Sequence, residues 1–199
     1  VKKRIGVLAL QGDVREHSVA IQKSGAVASL IRRPDDLKSI DALILPGGES
    51  TTISKLLHFF RVFQPIKEAI ESGMPVFGTC AGMILLANQI LDGSADQDSL
   101  SAMDITVRRN AFGRQVDSFE KELDLRSINA GKVTAIFIRA PWIERHGPDV
   151  EVIASVESAG QTHPVLARQG KMLAASFHPE ILEGERYLIH EFFIKEVAS

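Results

Sequence analysis

Phe77-Gly78-Thr79-Cys80-Ala81-Gly82 contains the single cysteine of this 199-residue sequence, set between two glycines. A short β-type stretch, Pro75-Val76-Phe77, precedes it, and a helix-type stretch from Met83 to Asn88 follows. A strand that turns sharply into a helix at a residue with small neighbours is the geometry of a nucleophile elbow. The glycines relieve backbone crowding on both sides of the turn. N–H groups at the start of the following helix would favour a thiolate at the sulfur. The competing reading of a lone cysteine is a small buried apolar residue. The glycine spacing on a strand–helix turn favours the nucleophile.

A cysteine nucleophile needs a base, and the base needs a group to orient it. Ser176-Phe177-His178-Pro179-Glu180, near the other end of the chain, offers both. The apolar run Met172 to Phe177 predicts a buried strand, and Pro179 ends it. His178 and Glu180 then lie at its carboxyl edge, one residue apart, with side chains on the same side. The carboxylate can fix the imidazole tautomer and stabilise imidazolium. Alone, His-x-Glu also fits a capping or surface pair. His17, His58 and His190 fall in helix-like stretches and read as interface or surface residues, while His146 and His163 fall in loop-like segments. No pair of histidines has helical ligand spacing with a carboxylate, and one cysteine excludes a Cys-rich zinc cage, so no metal is expected.

The length suits one substantial α/β core. Apolar residues at 45% and charged residues at 24% are ordinary for a globular protein, and a net charge of −2 gives no reason to expect nucleic acid as a partner. A single cysteine allows no internal disulfide, which fits a reducing compartment. The apolar run Ile5 to Leu10 behind Lys2-Lys3-Arg4 is too short for a signal-peptide core or a membrane span. A cytoplasmic protein with no membrane partner is expected.

Ile5 to Leu10 predicts a strand buried on both faces. Asp13 offers an N-cap to a helix that stops at Gly25. Strands follow at Val27 to Ile31 and Ala42 to Leu45, then two helices between Ser50 and Ser72, with Pro65 in the first turn of the second. This alternation predicts βαβ units around a parallel sheet. The second half is richer in strands: Ile105 to Val107, Val116 to Phe119, Val133 to Ile138 and Val150 to Val156. Arg168-Gln169-Gly170-Lys171 marks a hairpin between Val165–Ala167 and Met172–Phe177. Gly93 to Ser101 reads as an exposed loop, and a helix is predicted over about 183–197. The expected fold is a single-domain α/β three-layer sandwich, its central sheet mixed but mostly parallel, with a nucleophile elbow.

A second glycine loop lies in Leu43-Ile44-Leu45-Pro46-Gly47-Gly48-Glu49-Ser50-Thr51-Thr52. Such loops fall at the carboxyl edge of a parallel sheet, the edge that holds the elbow. One reading is an oxyanion hole formed by the Gly48 and Ala81 N–H groups. Phosphate binding competes, but neither Gly-Lys-Ser/Thr nor Gly-x-Gly-x-x-Gly is present. A plain tight turn with Ser50 or Thr51 as N-cap remains open.

Together, Gly78-Thr79-Cys80-Ala81-Gly82, Pro46-Gly47-Gly48-Glu49-Ser50 and Phe177-His178-Pro179-Glu180 resemble the class I, triad-type glutamine amidotransferases. Further blocks are most similar to one branch, the glutaminase subunits of pyridoxal phosphate synthase. They are Gly6 to Gly12 with Arg15-Glu16-His17, Gly47 to Thr52, Arg109 to Phe119, and Phe137-Ile138-Arg139-Ala140-Pro141. The resemblance spans nearly the whole chain and implies a single glutaminase domain over residues 1–199. It implies hydrolysis of L-glutamine to glutamate and ammonia, with Cys80 as nucleophile, His178 as general base and acid, and Glu180 as the orienting acid. Gly48, Glu49, Ser50, Arg109, Ile138 and Arg139 would contact glutamine, and no cofactor is expected. Arg109 suits the α-carboxylate, though by itself it also fits a surface salt bridge.

In this branch the ammonia passes to a synthase subunit that makes pyridoxal 5'-phosphate, and docking of that subunit reorients the Gly47-Gly48 peptide. Gln11 to Gly25, with Arg15, Glu16 and His17, is the candidate docking segment. Arg114 and Gln115 receive no ligand role. Residues 144–164 depart from the branch, as does Ile181, where Leu is expected. Competing readings are a glutaminase for another synthase, a cysteine peptidase or chaperone-like relative, and a binding subunit with a vestigial site.

Overall fold

The computed structural model describes residues 2–94, 97–112, 118–181 and 186–199. Arg114, Gln115, part of the strand expected over 116–119 and the start of the helix expected over 183–197 lie outside the described residues.

The continuous apolar runs form the middle of a seven-stranded sheet because each must bury both faces. β1 (Arg4–Leu8) leads through α1 (Val14–Lys23) to β2 (Val27–Ile31), and a 3₁₀ turn (Pro34–Ser39) leads to β3 (Ala42–Leu45). Two helices follow, α2 (Ser50–Phe59) and α3 (Phe63–Glu71), then β4 (Val76–Thr79) and the short α4 (Ala81–Leu86). Next come β5 (Ala87–Leu91), β6 (Met103–Arg108), β7 (Ser118–Asp124), β8 (Lys132–Ile138) and β9 (Trp142–His146). β10 (Glu151–Ser158), β11 (Gln161–Gln169) and β12 (Met172–Ala175) precede the C-terminal helix α5 (Leu188–Phe192), which runs on into a π turn (Phe193–Val197).

The large sheet has the order β10-β11-β12-β4-β3-β1-β2. Its five strands from β12 to β2 are parallel, while β10, β11 and β12 pair antiparallel, as the hairpin signal at Gly170 predicts. Alternation along each strand divides the core. Ile5, Val7, Ile44, Phe77, Leu173 and Ala175 face one layer with Ile21 of α1 and Ile189 of α5. Leu8, Leu43, Leu45, Val76 and Ala174 face the other with Ile53, Leu57, Ile66 and Leu85 of α2, α3 and α4. The β7–β8 ribbon closes over the first layer, and the small sheet β5-β6-β9 packs on the second. The expected α/β sandwich is present.

Three expectations need correction. The helix expected to reach Asn88 ends at Leu86, because the next turn loses its carbonyls to another segment: Leu100 N–H donates to Leu85 O at 2.7 Å and Ala102 N–H to Leu86 O at 3.0 Å. Ala87 is therefore extended and begins β5 beside β6. The strand expected through Phe177 ends at Ala175. The strand expected at Val150 to Val156 is β10, but it is flanked by the end of β9 and the first half of β11 where loops were expected around His146 and His163. His146 and His163 therefore lie in strands, and His163 stacks on Trp142 with ring centroids 3.6 Å apart.

Candidate active site

The parallel register decides what meets. Ala175 pairs with Thr79, and Leu45 with Gly78, so β12, β4 and β3 end level with one another. Loops leaving β1, β3, β4 and β12 therefore converge at one sheet edge.

Cys80 lies at the end of β4 with φ 49° and ψ −104°, a left-handed backbone that an L-residue adopts at a cost on the order of 1–3 kcal/mol. Its N–H is tied to Ala175 O at 2.8 Å, which anchors the elbow to β12. A Cβ on Gly82 would stand 2.0 Å from Leu45 O, and one on Gly78 would stand 2.4 Å from Gly82 O. The flanking glycines are thus required by close approach of three backbones. Cys80 is 7% exposed, and its Sγ lies 4.0 Å from Ile138 O.

His178 and Glu180 reach the same place by the route expected of them. Both are buried, His178 Nδ1 meets Glu180 Oε1 at 2.7 Å, and His178 N–H donates to Ile136 O at 2.9 Å. Burial acts to lower the His178 pKa, but hydrogen bonds with Asp13, Cys80 and Glu180 outweigh it and push the value up to about 12. Burial raises the Glu180 pKa, and the His178 partner only partly offsets this. The raised imidazole pKa favours the imidazolium form of His178.

The glycine loop after β3 closes the site from the other side. Its cap residue is Glu49, which corrects the expectation of Ser50 or Thr51. The Glu49 carboxylate accepts from Thr51 N–H at 3.1 Å and Thr52 N–H at 2.7 Å, an arrangement that stabilises α2 by about 1 kcal/mol. Burial acts to raise the Glu49 pKa, yet the Thr52 and Thr51 hydrogen bonds and Arg109 bring it below its ordinary value. Arg109 donates to Glu49 Oε1 at 3.2 Å and Gln97 Oε1 at 2.9 Å, so its salt bridge faces the cleft and is only partly exposed. Gly47 O accepts from Asp13 N–H at 3.2 Å. A trans peptide sets its N–H opposite its carbonyl, so the Gly48 N–H points away from Asp13.

These elements enclose a cleft of about 300 Å³. Cys80, Ala81, His178, Gly48, Glu49 and Ser50 line it, with Arg109, Ile138 and Arg139 on the far wall. Every sequence-predicted site residue except Glu180 touches the cleft, and Glu180 stands behind His178. Sequence reasoning gave no site role to Asn110, Ile84 and Ile181 in the lining, and it gave Asp13 only its place as N-cap of α1. Asp13 caps α1 without a side-chain hydrogen bond, and its Oδ2 lies 3.3 Å from His178 Nδ1. The signal available was its place directly after the Gly12 turn at the end of β1. Asp13, His178 and Glu180 bring three ligand-type atoms within 4.8 Å of one another. Nδ1 is already engaged by Glu180 at 2.7 Å, so the cluster serves proton chemistry better than a cation.

His17 and His190 also need correction. Both are fully buried, and His17 faces inward from α1 rather than toward a partner.

Among solved structures, the chain is similar to a glutamine amidotransferase crystal structure with a TM-score of 0.87 at 45% identity, covering 98% of both chains. It shares the fold alone with PurLQS of Thermotoga maritima, TM-score 0.66 at 16% identity over 97% of this chain and 96% of the other. By sequence it is 55% identical to the pyridoxal 5'-phosphate synthase subunit PdxT of Mycobacteroides abscessus over 98% of this chain and 97% of that one. It is 51% identical to the PdxT subunit of Acidothermus cellulolyticus over 100% of this chain and 95% of the relative. The model of the SNO glutamine amidotransferase family matches residues 7–199. With the cysteine elbow, the His–Glu pair and the glycine loop at one sheet edge, this chain belongs to the SNO glutamine amidotransferase family.

Proposed function

We propose that this chain hydrolyses L-glutamine to L-glutamate and ammonia and delivers the ammonia to a synthase subunit that makes pyridoxal 5'-phosphate. One observation carries the reading: Cys80, on a left-handed elbow, lines the same cleft as His178, whose Nδ1 rests on a buried carboxylate. The Cys80 thiolate attacks the side-chain amide carbon of glutamine, and His178 gives its proton to the departing nitrogen, so ammonia leaves and a thioester remains. His178 then takes a proton from water, whose oxygen attacks the thioester carbon. Glutamate departs and the thiolate and imidazolium are restored.

The N–H groups of Gly48 and Ala81 are the donors for the tetrahedral oxyanion. Glu49, Ser50, Arg109, Ile138 and Arg139 hold the amino-acid head, with Arg109 directed at the α-carboxylate. The partner is assigned from full-length similarity to PdxT subunits near 50% identity.

Glutamate formation from L-glutamine, measured with and without a pyridoxal phosphate synthase subunit, tests both halves. Low activity alone and a large rise with the synthase is the expected outcome, with Cys80→Ser abolishing turnover while still binding the synthase. Undiminished turnover by Cys80→Ser would sink the triad, and no rise with the synthase would sink the partner assignment.

A further inference from the structure

Glu180 is 3% exposed, and only one of its oxygens is accounted for: Oε1 is on His178, whereas buried Oε2 has no hydrogen bond. A buried carboxylate oxygen without a donor is costly. His17 Nε2, projecting from α1, lies 3.5 Å from Oε2 and 3.0 Å from the hydroxyl of Thr79, the residue before Cys80. His17 Nδ1 lies 2.9 Å from His190 Nε2 of α5, and His190 Nδ1 is buried without a partner.

Counting protons along this chain leaves two arrangements of neutral rings. In one, His190 donates from Nε2 to His17 Nδ1, and the His17 proton sits on Nε2 between Thr79 and Glu180. The atom left over is then a lone pair on His190 Nδ1. In the reverse arrangement His190 buries an N–H that has no acceptor, and His17 Nε2, accepting from the Thr79 hydroxyl, turns a protonless nitrogen toward the carboxylate 3.5 Å away. Orphaned buried N–H groups are rarer than orphaned acceptors, and the second contact is repulsive, so the first arrangement is favoured. Both rings are neutral: burial lowers the His17 pKa well below 6.5, reinforced by His190 and His178, and lowers that of His190 to about 3.

We propose that His17 is a positioning residue of the triad: a neutral imidazole whose Nε2–H orients Glu180 through its second oxygen. The proposal rests on the glutaminase reading of Cys80, His178 and Glu180. One buried ring then spans both ends of the catalytic set, touching the strand end that carries the nucleophile and the acid behind the base. The titratable groups facing it are His190 from α5 and His178 and Glu180 from the segment after β12.

The test compares wild type, His17→Leu and His17→Gln, the last keeping an amide N–H near the Nε2 position. Glutaminase kcat and KM are measured with the synthase subunit, and Cys80 alkylation by iodoacetamide is followed against pH in the chain alone. In His17→Leu, kcat falls about 10- to 100-fold with little change in KM, part of the usual contribution of acid–base catalysis. Losing the donor raises the Glu180 pKa, so the acid limb of alkylation moves up by about half a pH unit or more. His17→Gln restores most of both. A folded His17→Leu matching wild type in both readouts overturns the proposal, as does a folded His17→Gln no better than Leu. Nitrogen NMR of labelled wild type decides the matter even if the variants do not fold, since an Nδ1–H tautomer of His17 contradicts it. Wild type that alkylates normally yet hydrolyses no glutamine counts against the glutaminase reading, and the alkylation profiles still judge His17.

Discussion

At the scale of single residues, the site depends on how little room surrounds Cys80. The elbow works because β3 and the start of α4 approach within the space a methyl group would need, as the Gly82 contact with Leu45 O makes plain. Gly82→Ala must therefore push α4 away from β3 and carry Cys80 with it. Overpacking of this kind costs on the order of 1–3 kcal/mol. The expected outcome is a lowered urea midpoint together with loss of most glutaminase activity; an alanine variant of wild-type stability and turnover would contradict the packing account. Gly78 and Gly82 are legible in the sequence as an elbow signature. Glu49 as cap of α2 is not, because Ser50 and Thr51 are better cap formers and only the fold directs the Glu49 carboxylate onto their N–H groups.

At the scale of elements, α1 shows how one helix can serve two purposes. His17, Ala20 and Ile21 are buried against the sheet, whereas Arg15 and Glu16 are exposed. The exposed pair begins one turn from the loop that holds Gly47 O, so a subunit bound there would lie beside the glycine loop. Reversing both charges, Arg15→Glu with Glu16→Lys, should weaken synthase binding about tenfold or more while leaving the fold intact. Titration calorimetry checks this, and unchanged affinity removes α1 from the docking surface. Placing His17 on that surface from sequence failed because a ten-residue helix with mixed composition does not reveal which side faces the core. The strands β5 and β9 were hidden for a different reason. β5 follows an apolar helix without a break, and its strand character comes from pairing with β6.

At the scale of the whole molecule, buried imidazoles make stability depend on pH. His17 and His190 have folded pKa values depressed below 6.5, so their contribution is full above that pH and is lost as pH falls. His178 works in the opposite sense: raised to about 12, it contributes fully below 6.5 and loses that contribution as pH climbs. Glu180, raised by burial, takes up a proton on folding and offsets at most one of the two histidine protons on the acid side. The unfolding free energy, read from urea titrations, should therefore fall between about pH 5.5 and about 4.5, where His178 is protonated in both states, with a slope of about 1.4–2.7 kcal/mol per pH unit for one to two protons. A flat profile over that window would mean that the two rings are not held neutral.

The parallel centre of the sheet was written in local sequence, because strands buried on both faces must be apolar throughout. So were the candidate groups of the site, because a cysteine between glycines and a His-x-Glu after an apolar run are local patterns. Their meeting was settled elsewhere. Cys80 and His178 are far apart along the chain and adjacent only because β12 returns to pair with β4, in a register that sets Ala175 beside Thr79. The placement of Asp13 and His17 beside His178 and Glu180 likewise came from tertiary packing, through which side of the α1 terminus turned inward. Hydrogen bonds between distant segments depend on packing geometry, and no local pattern encodes that geometry.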